Sequence, residues 1–109
     1  MSEQSKQTAE FVIDELVDMR HPPVYERRAV KSGEKIVFGQ AVKLHTDGSV
    51  MKSTSGEAHY GVAMENADKG YVSIVVHGTI KRNKVTVNGA AIADADIIKL
   101  KAAGIYVLN

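Results

Sequence analysis

The chain of 109 residues contains no cysteine, which excludes both a disulfide framework and a thiolate metal site. It has no apolar run near the roughly 20 residues that a membrane-spanning helix needs. Its polar first residues do not resemble a secretory signal. The net charge of +1 is too small to argue for nucleic acid as a bulk partner. We therefore expect one soluble domain, made in a cytoplasm, that buries roughly 65% of its unfolded surface.

Motifs of catalysis are missing as well. The histidines, His21, His45, His59 and His77, form no His-x-x-x-His pair. There is no Gly-x-Ser-x-Gly, and the glycines occur as single turn positions instead of gathering in a phosphate-binding loop. The last three histidines could still converge in a folded barrel, but a scatter of surface histidines is the simpler interpretation. We expect no catalytic residue, no metal site and no cofactor.

The charge is unevenly distributed along the chain. Residues 1–20 hold five acids and two bases (−3), whereas residues 21–109 hold eight acids and twelve bases (+4). Apolar residues at three- and four-residue spacing in the acidic part predict an amphipathic helix over residues 8–20, with Thr8 as N-cap. The apolar stripe is Ala9, Val12, Ile13, Leu16 and Met19 or Val17, and Glu10, Asp14, Glu15 and Asp18 lie opposite it. A helix this short is marginal alone, so it packs either on its own body or on a partner.

Pro22-Pro23 ends this helix, and residues 21–30 read as an extended connector with a basic pair, Arg27-Arg28. Beyond it, short strands alternate with glycine turns. Asp47-Gly48 predicts a type I′ hairpin, and the glycine inside Tyr60–Met64 predicts a bulge or a close backbone approach.

The central strand is predicted over Tyr71–His77, with Gly78 closing it. Val72, Ile74 and Val76 form its core face, while Val75 lies on the other face.

The end of the chain predicts a turn at Asn88-Gly89 and a helix over residues 90–103. Asp94 is its N-cap, Gly104 its C′ residue, and residues 105–108 form a last strand. The fold class is mainly β, a small glycine-punctuated barrel or sandwich with a short C-terminal helix and an N-terminal arm. We divide the chain into an arm, residues 1–28, and a β-rich body, residues 29–109.

One lysine suggests a rival function. Val50-Met51-Lys52 resembles the Met-Lys of biotin- and lipoyl-carrying barrels, in which a hairpin tip displays the modified lysine. Here no second methionine follows, and the tight turn lies before the strand at Asp47-Gly48. A solvent-facing lysine is the simpler interpretation. A carrier or small ligand-binding barrel is one alternative function, and an adaptor domain that assists an enzyme is another.

A set of short motifs resembles the capsid cement, or head decoration, proteins of tailed bacteriophages. The motifs are Gly33-Glu-Lys-Ile, Gly39-Gln-Ala-Val, Asp47-Gly-Ser-Val, Tyr60-Gly-Val-Ala and Val72-Ser-Ile-Val-Val-His-Gly, in that order. The closing Ile97-Ile-Lys-Leu-Lys-Ala-Ala-Gly-Ile-Tyr-Val also looks like the C-terminal helix and strand of the lambda-type members. The resemblance covers about residues 28–109, and the N-terminal residues 1–20 depart from it.

The resemblance implies a non-enzymatic viral protein on the exterior of the virion. Such proteins bind the major capsid protein of an expanded shell, usually as homotrimers, and stabilise it without membrane or direct nucleic-acid contact. Three attachment elements per trimer would convert weak contacts into firm attachment. We expect the arm to bind the shell through Val12, Ile13, Leu16, Pro22, Pro23, Tyr25, Arg27 and Arg28.

Overall fold

The computed structural model describes residues 17–18 and 23–108, and these are mainly β, as the sequence predicts. The strands are β1 (Val17–Asp18), β2 (Val24–Ala29), β3 (Ala41–Leu44), β4 (Val50–Lys52), β5 (Gly61–Ala63), β6 (Tyr71–Lys81), β7 (Thr86–Val87), β8 (Ala90–Ala91) and β9 (Ile105–Leu108). A 3-10 turn (Arg82–Lys84) and a helix, α1 (Asp94–Ala102), complete the described elements. Most of the predicted helix over residues 8–20 lies outside the described residues.

Strand β6 pairs with four others. Strands β1, β2 and β5 run antiparallel to it, and β9 runs parallel to its last four residues. The prediction that Gly78 closes this strand is wrong, because β6 continues to Lys81 and Gly78 pairs with Ile105. Gly78 instead allows a close approach: a Cβ atom there would lie 3.2 Å from Cα of Pro23.

Two hydrophobic clusters share β6. Val72 and Ile74 enter the first, and Val75 enters the second, so two residues adjacent in sequence point into different cores. The first cluster contains Val30, Ile36, Val42, Val50, Ala63, Val72 and Ile74. The second contains Ala41, Val62, Val75, Ile80, Val85, Val87, Ile92, Leu100 and Ile105. The prediction is confirmed for Val72 and Ile74, and Val75 does lie on the opposite face, but that face is buried as well because the second cluster covers it.

The sheet around the first cluster closes on itself. Its strands follow the order β4-β3-β5-β6-β2, and an isolated parallel bridge between Val30 and Val50 joins the two ends. The backbone N–H of Lys31 donates to the carbonyl of Val50 at 2.9 Å. The glycine in β5 permits this tight curl, since a Cβ atom on Gly61 would lie 2.6 Å from the carbonyl oxygen of Val75. The predicted close backbone approach at Gly61 is thus confirmed, and the body is a small barrel.

The two glycine hairpins use different turns. Asn88 and Gly89 both have positive φ angles, 51° and 83°, which is a type I′ turn between β7 and β8. At the β3–β4 hairpin only Gly48 has positive φ, and the N–H of Gly48 donates to the carbonyl of His45. The type I′ prediction for Asp47-Gly48 is therefore wrong. Asp47 Oδ1 accepts from the N–H and hydroxyl of Ser49, which holds a longer loop with one left-handed glycine.

Helix α1 is shorter than predicted, because residues 90–91 form strand β8. The turn at residues 88–89 reverses the chain so that β8 pairs with β7. Ala93 occupies the N-cap position, so the prediction of Asp94 as N-cap is wrong. Gly104, with φ of 96°, follows the helix as the predicted C′ glycine and donates its N–H to Lys101. No helix within residues 17–18 and 23–108 is long and apolar enough to cross a membrane.

The N-terminal division differs from the prediction in two places. Val17–Asp18 pair with Ile80 and Thr79 as a strand, where the sequence predicts the end of a helix. The backbone of β6 supplies the pairing partners for this strand. Residues 24–28 belong to β2, which pairs with β6 along its whole length. The boundary after residue 28 therefore falls inside a strand of the body's sheet.

Candidate functional site

Strand β2 presents different residues on its two faces. Tyr25 and Arg27 point outward, and the guanidinium carbon of Arg27 lies 5.8 Å from the ring centroid of Tyr71. Tyr71 is 59% exposed and Tyr25 is 37% exposed. We call Tyr25, Arg27 and Tyr71 the β2 face. Arginine and tyrosine on a fixed strand form the kind of surface that is enriched at protein interfaces.

Arg28 points to the opposite side and is not part of the β2 face. Its Nε donates to Oε1 of Glu26 at 3.0 Å, its Nη2 to the hydroxyl of Tyr60 at 3.2 Å, and its Nη1 to the carbonyl of Gly48 at 3.4 Å. The Tyr60 hydroxyl donates to the same Glu26 oxygen at 2.5 Å. We call Glu26, Arg28 and Tyr60 the seam cluster, because it joins β2 to the β3–β4 hairpin beside the single backbone bridge.

Hydrogen bonds within the seam cluster stabilise the protonation states of its members. Hydrogen bonds from Tyr60 and then Arg28 hold the pKa of the Glu26 carboxyl below its usual range. The hydrogen bond to Glu26 raises the pKa of the Tyr60 phenol, and burial adds to this increase. At neutral pH the cluster is therefore a carboxylate, a phenol and a guanidinium that bond to one another.

The four predicted shell-contact residues within residues 23–108 do not share one surface. Tyr25 and Arg27 lie on the β2 face, Arg28 lies in the seam cluster, and half-buried Pro23 lies against Gly78. Val12, Ile13, Leu16 and Pro22 lie outside the described residues. Two-residue alternation along a strand separates neighbours such as Arg27 and Arg28, because successive side chains point to opposite faces.

Two lysines lie in the chain segments next to the Tyr71 end of β6. The N–H of Val30 donates to the carbonyl of Gly70 at 2.8 Å. Lys31 directly follows Val30 in the chain, and Lys69 directly precedes Gly70. Neither lysine forms an ion pair, and neither does Arg27, within residues 17–18 and 23–108. We call Arg27, Lys31 and Lys69 the basic end.

Three carboxylates lie along the same segments, and one of them, Glu65, accepts from the N–H of Ser73, the residue paired with Arg27. Asp68 is the only acid in the turn at residues 66–70, and Glu34 is engaged by the N–H of Lys52. Lys35 and Asp68 line a depression of about 380 Å³ beside this turn. Glu34, Glu65 and Asp68 keep their negative charges, so this end of the molecule is close to electrically balanced.

The best-connected buried group is Asp96, in the first turn of α1. It is 1% exposed and accepts hydrogen bonds from the Ser55 hydroxyl at 2.7 Å, the Gly56 N–H at 2.9 Å and Nε2 of His59 at 2.9 Å. Burial alone would raise the pKa of Asp96, but the three donors outweigh it and hold that pKa below its usual value. Asp96 therefore joins the helix to the loop before β5.

A surface depression of about 410 Å³ lies next to this joint, and its walls include Lys43, Glu57, His59 and Tyr60. Their polar groups bond within the protein: Lys43 pairs with Glu57, His59 with Asp96, and Tyr60 with Glu26. The second ring nitrogen of His59, Nδ1, is the exception: it is buried and has no hydrogen-bond partner among the described residues. The depression thus offers a ligand few uncommitted polar atoms.

The histidines that could have converged have separate surroundings. His45 lies beside Asp47, His59 is buried against Asp96, and the His77 ring lies over Gly104. The described part of the chain contains no group of three His, Asp or Glu side chains that could hold a metal ion. Lys52 is exposed at the end of β4, opposite Val42, and away from the hairpin tip.

Sequence reasoning missed Tyr71 as a surface partner of Arg27, and it missed Glu26, Tyr60 and Asp96 altogether. Alternation along β2 was a usable signal for separating Arg27 from Arg28. No local signal marks Asp96, because its partners lie 37 to 41 residues away.

The position of each of these residues in the fold indicates whether it lies on the surface or connects parts of the body. The β2 face and the basic end point outward, whereas the seam cluster and Asp96 connect parts of the body. No family model matches this chain, and no curated protein matches it either.

Proposed function

We propose that this protein is a non-enzymatic structural component of a tailed-phage virion that binds the outside of the capsid and stabilises the shell. The motifs of the sequence resemble those of decoration proteins, and one structural observation supports the same role. The carboxylates that could act in catalysis instead form hydrogen bonds and ion pairs that connect segments distant in the sequence.

Four of these cross-links span the body. Asp96 joins α1 to the loop before β5, and Glu26 joins β2 to Tyr60. Glu57 joins the same loop to β3 through Lys43, and Asp94 bonds Arg82 across the β7–β8 hairpin. A small barrel tied together in this way is suited to bearing load, because each polar bond restrains two separate segments.

Attachment to the shell is assigned to residues 1–16, whose stripe of Val12, Ile13 and Leu16 needs an apolar partner surface. Strand β1 anchors the chain directly after this segment, since Val17 pairs with Ile80 at the far end of β6. Arg27 pairs with Ser73 nearer the other end of that strand, about 23 Å away at 3.3 Å per residue. We therefore separate the stripe from the β2 face, although the sequence assigned both to the shell.

The decisive variant is a chain that begins at Val17. A chain beginning at Ala29 would lose β2 and with it the pairing partner of Tyr71–His77, so it would fail to fold for reasons unrelated to attachment. The shorter deletion should keep the melting temperature of the full chain but fail to co-sediment with expanded, undecorated capsids of the same virus.

A matched pair of full-length variants refines this test. Val12→Ser with Leu16→Ser should weaken capsid binding, whereas Gln4→Ser with Gln7→Ser, in the same segment, should not. Failure of the unaltered protein to bind capsids would overturn the proposed function. Undiminished binding by the chain that begins at Val17 would overturn only the role of residues 1–16.

A further inference from the structure

The β7–β8 hairpin turns through the only Asn-Gly step of the sequence. Asn88 and Gly89 are both exposed, and both have positive φ angles. A Cβ atom built on Gly89 would meet no other atom within 4 Å, so the space beside this residue is open. Among residues 17–18 and 23–108, nothing hydrogen-bonds the side chain of Asn88. The turn therefore presents an amide group that hydrogen bonds do not restrain.

An asparagine amide can react with the backbone nitrogen of the residue that follows it. The nitrogen of Gly89 attacks Cγ of Asn88, so that an N–Cγ bond forms and the Cγ–Nδ2 bond breaks. Nδ2 takes the proton from the attacking nitrogen and leaves as ammonia, and a cyclic imide remains. Water then opens the imide at Cγ, which gives aspartate, or at the main-chain carbonyl carbon, which gives isoaspartate. Glycine favours the attack because it has no Cβ atom beside the nitrogen.

The other asparagines among residues 17–18 and 23–108 are less well placed for this reaction. Oδ1 of Asn66 accepts from the N–H of Phe38 at 2.7 Å, which restrains the amide. The nitrogen that would attack it belongs to Ala67 and already donates to a carbonyl across an isolated β-bridge at 2.9 Å. Asn83 lies in the 3-10 turn and is followed by Lys84, whose Cβ atom crowds the nitrogen. Neither position combines an unrestrained amide with an unhindered nitrogen.

The hairpin is also short enough to open while the rest of the body stays folded. Its strands β7 and β8 have two residues each, and residues 88–91 are all exposed. A two-stranded hairpin is at best marginally stable by itself, and local opening needs far less free energy than global unfolding. Opening of the turn lets the amide and the following nitrogen approach each other, so the reaction does not require an unfolded chain.

We infer that Asn88 is a site of spontaneous chemical modification in the folded protein, where deamidation produces aspartate and isoaspartate. The reaction consumes water, releases ammonia and needs no enzyme or cofactor. This inference concerns the chain itself and does not depend on shell attachment.

The two products have different consequences for the hairpin. Aspartate tolerates positive φ, so it keeps the type I′ turn. Isoaspartate routes the backbone through Cβ and Cγ of residue 88, which lengthens the turn and removes its two-residue geometry. Val87 and Ile92 flank the hairpin and are both buried in the second cluster, so isoaspartate should loosen this part of the core. Either product lowers the formal net charge by one, from +1 to 0.

The test follows the full-length protein during storage in a mildly alkaline buffer. Peptide mapping by mass spectrometry should show conversion several times faster at Asn88 than at Asn66 or Asn83. The conversion should accelerate with pH, because the deprotonated nitrogen is the attacking species. Labelling with an isoaspartyl methyltransferase and a radioactive methyl donor identifies isoaspartate, since this enzyme does not methylate ordinary aspartate.

Three variants of the turn serve as controls. Asn88→Gly keeps a residue that adopts positive φ but removes the reacting amide, so the stored variant should keep its melting temperature. Asn88→Asp reproduces one product and should melt as the fresh unaltered protein does, which assigns any loss in stored protein to isoaspartate. Gly89→Ala places a Cβ atom beside the attacking nitrogen and should slow the conversion several-fold.

Conversion that takes place only in urea would overturn the inference, because the folded turn would then protect Asn88. Equal rates at Asn66, Asn83 and Asn88 would do the same, since the hairpin would confer no preference. If stored Asn88→Gly protein loses as much melting temperature as the unaltered chain, isoaspartate is not what loosens the hairpin.

Discussion

Nε2 of His59 lies 2.9 Å from Oδ1 of Asp96, and both side chains are closed off from solvent. The two residues are separated by 37 positions in the chain, and the bond is one of three that converge on the same carboxylate. A buried carboxylate is tolerated only when its hydrogen bonds are satisfied, so this site depends on all of its donors. Substitution of this carboxylate should therefore be costly.

Replacing Asp96 by Ala should lower the free energy of unfolding by about 3–5 kcal/mol, because it leaves the buried imidazole of His59 without its acceptor and also removes the acceptor of the Ser55 hydroxyl and the Gly56 N–H. Asp94→Ala, two residues earlier on the exposed side of α1, should cost no more than about 1 kcal/mol. Urea unfolding of both variants measures the difference. Equal losses would show that the Asp96 bonds do not stabilise the body.

Stability should fall as the pH drops below about 4, the ordinary range of carboxyl groups. The pKa of Asp96 is held low by its donors, and hydrogen bonds from Lys43 and Thr54 lower the pKa of Glu57 to about 2. The unfolded chain therefore takes up protons at a pH where the folded protein does not, and acid favours unfolding. Urea midpoints at pH 7, 4 and 2.5 should decrease in that order, and Asp96→Asn should flatten the decrease. A constant midpoint would contradict the assignment.

Arg27 and Arg28 should differ sharply although they are adjacent and identical. Arg28→Ala removes three donors from the seam cluster and leaves Glu26 and the Gly48 carbonyl with fewer partners, so the melting temperature should fall. Arg27→Ala removes only the contact with the Tyr71 ring and should change stability by less than about 0.5 kcal/mol. Thermal melts that rank the two variants in the opposite order would show that the seam cluster does not brace β2.

Gly39 and Gly33 form a matched pair for backbone crowding. Both have positive φ, 82° and 86°, so alanine at either carries a conformational cost of about 1–2 kcal/mol. A Cβ atom on Gly39 would also lie 2.0 Å from the carbonyl oxygen of Lys84, whereas Gly33 faces open space. Gly39→Ala should therefore cost at least about 1–3 kcal/mol more than Gly33→Ala in urea unfolding. Similar losses at the two positions would indicate that the Gly39–Lys84 contact gives way easily.

How much the sequence predicts depends on the range of the interaction. The β-rich class, the Asn88-Gly89 turn and the C′ glycine at Gly104 follow from local chemistry, since each depends on a few consecutive residues. The difference between Asp47-Gly48 and Asn88-Gly89 does not, because the side chain of Asp47 binds Ser49 and selects a longer loop.

Pairing between distant segments cannot be predicted from local sequence patterns. Alternation along β6 predicts one buried face, and it fails at Val75 because a second cluster from the end of the chain covers the other face. Val17–Asp18 fit a helical pattern, yet a free edge of β6 pairs with them as a strand. The candidate surface is a similar case: Tyr25 and Arg27 can be read from the chain, but Tyr71 joins them only after β2 and β6 pair.

The sharing of β6 by two cores has a consequence for how the body comes apart. Ile74 and Val75 are consecutive, so separating either cluster requires moving the backbone on which the other depends. Half of this barrel cannot melt while the rest persists, and amide hydrogens along Val72–Ile80 should exchange only through global opening. Exchange at the centre of β6 would then report the full unfolding free energy, and loss of either cluster would release all its protected amides at once.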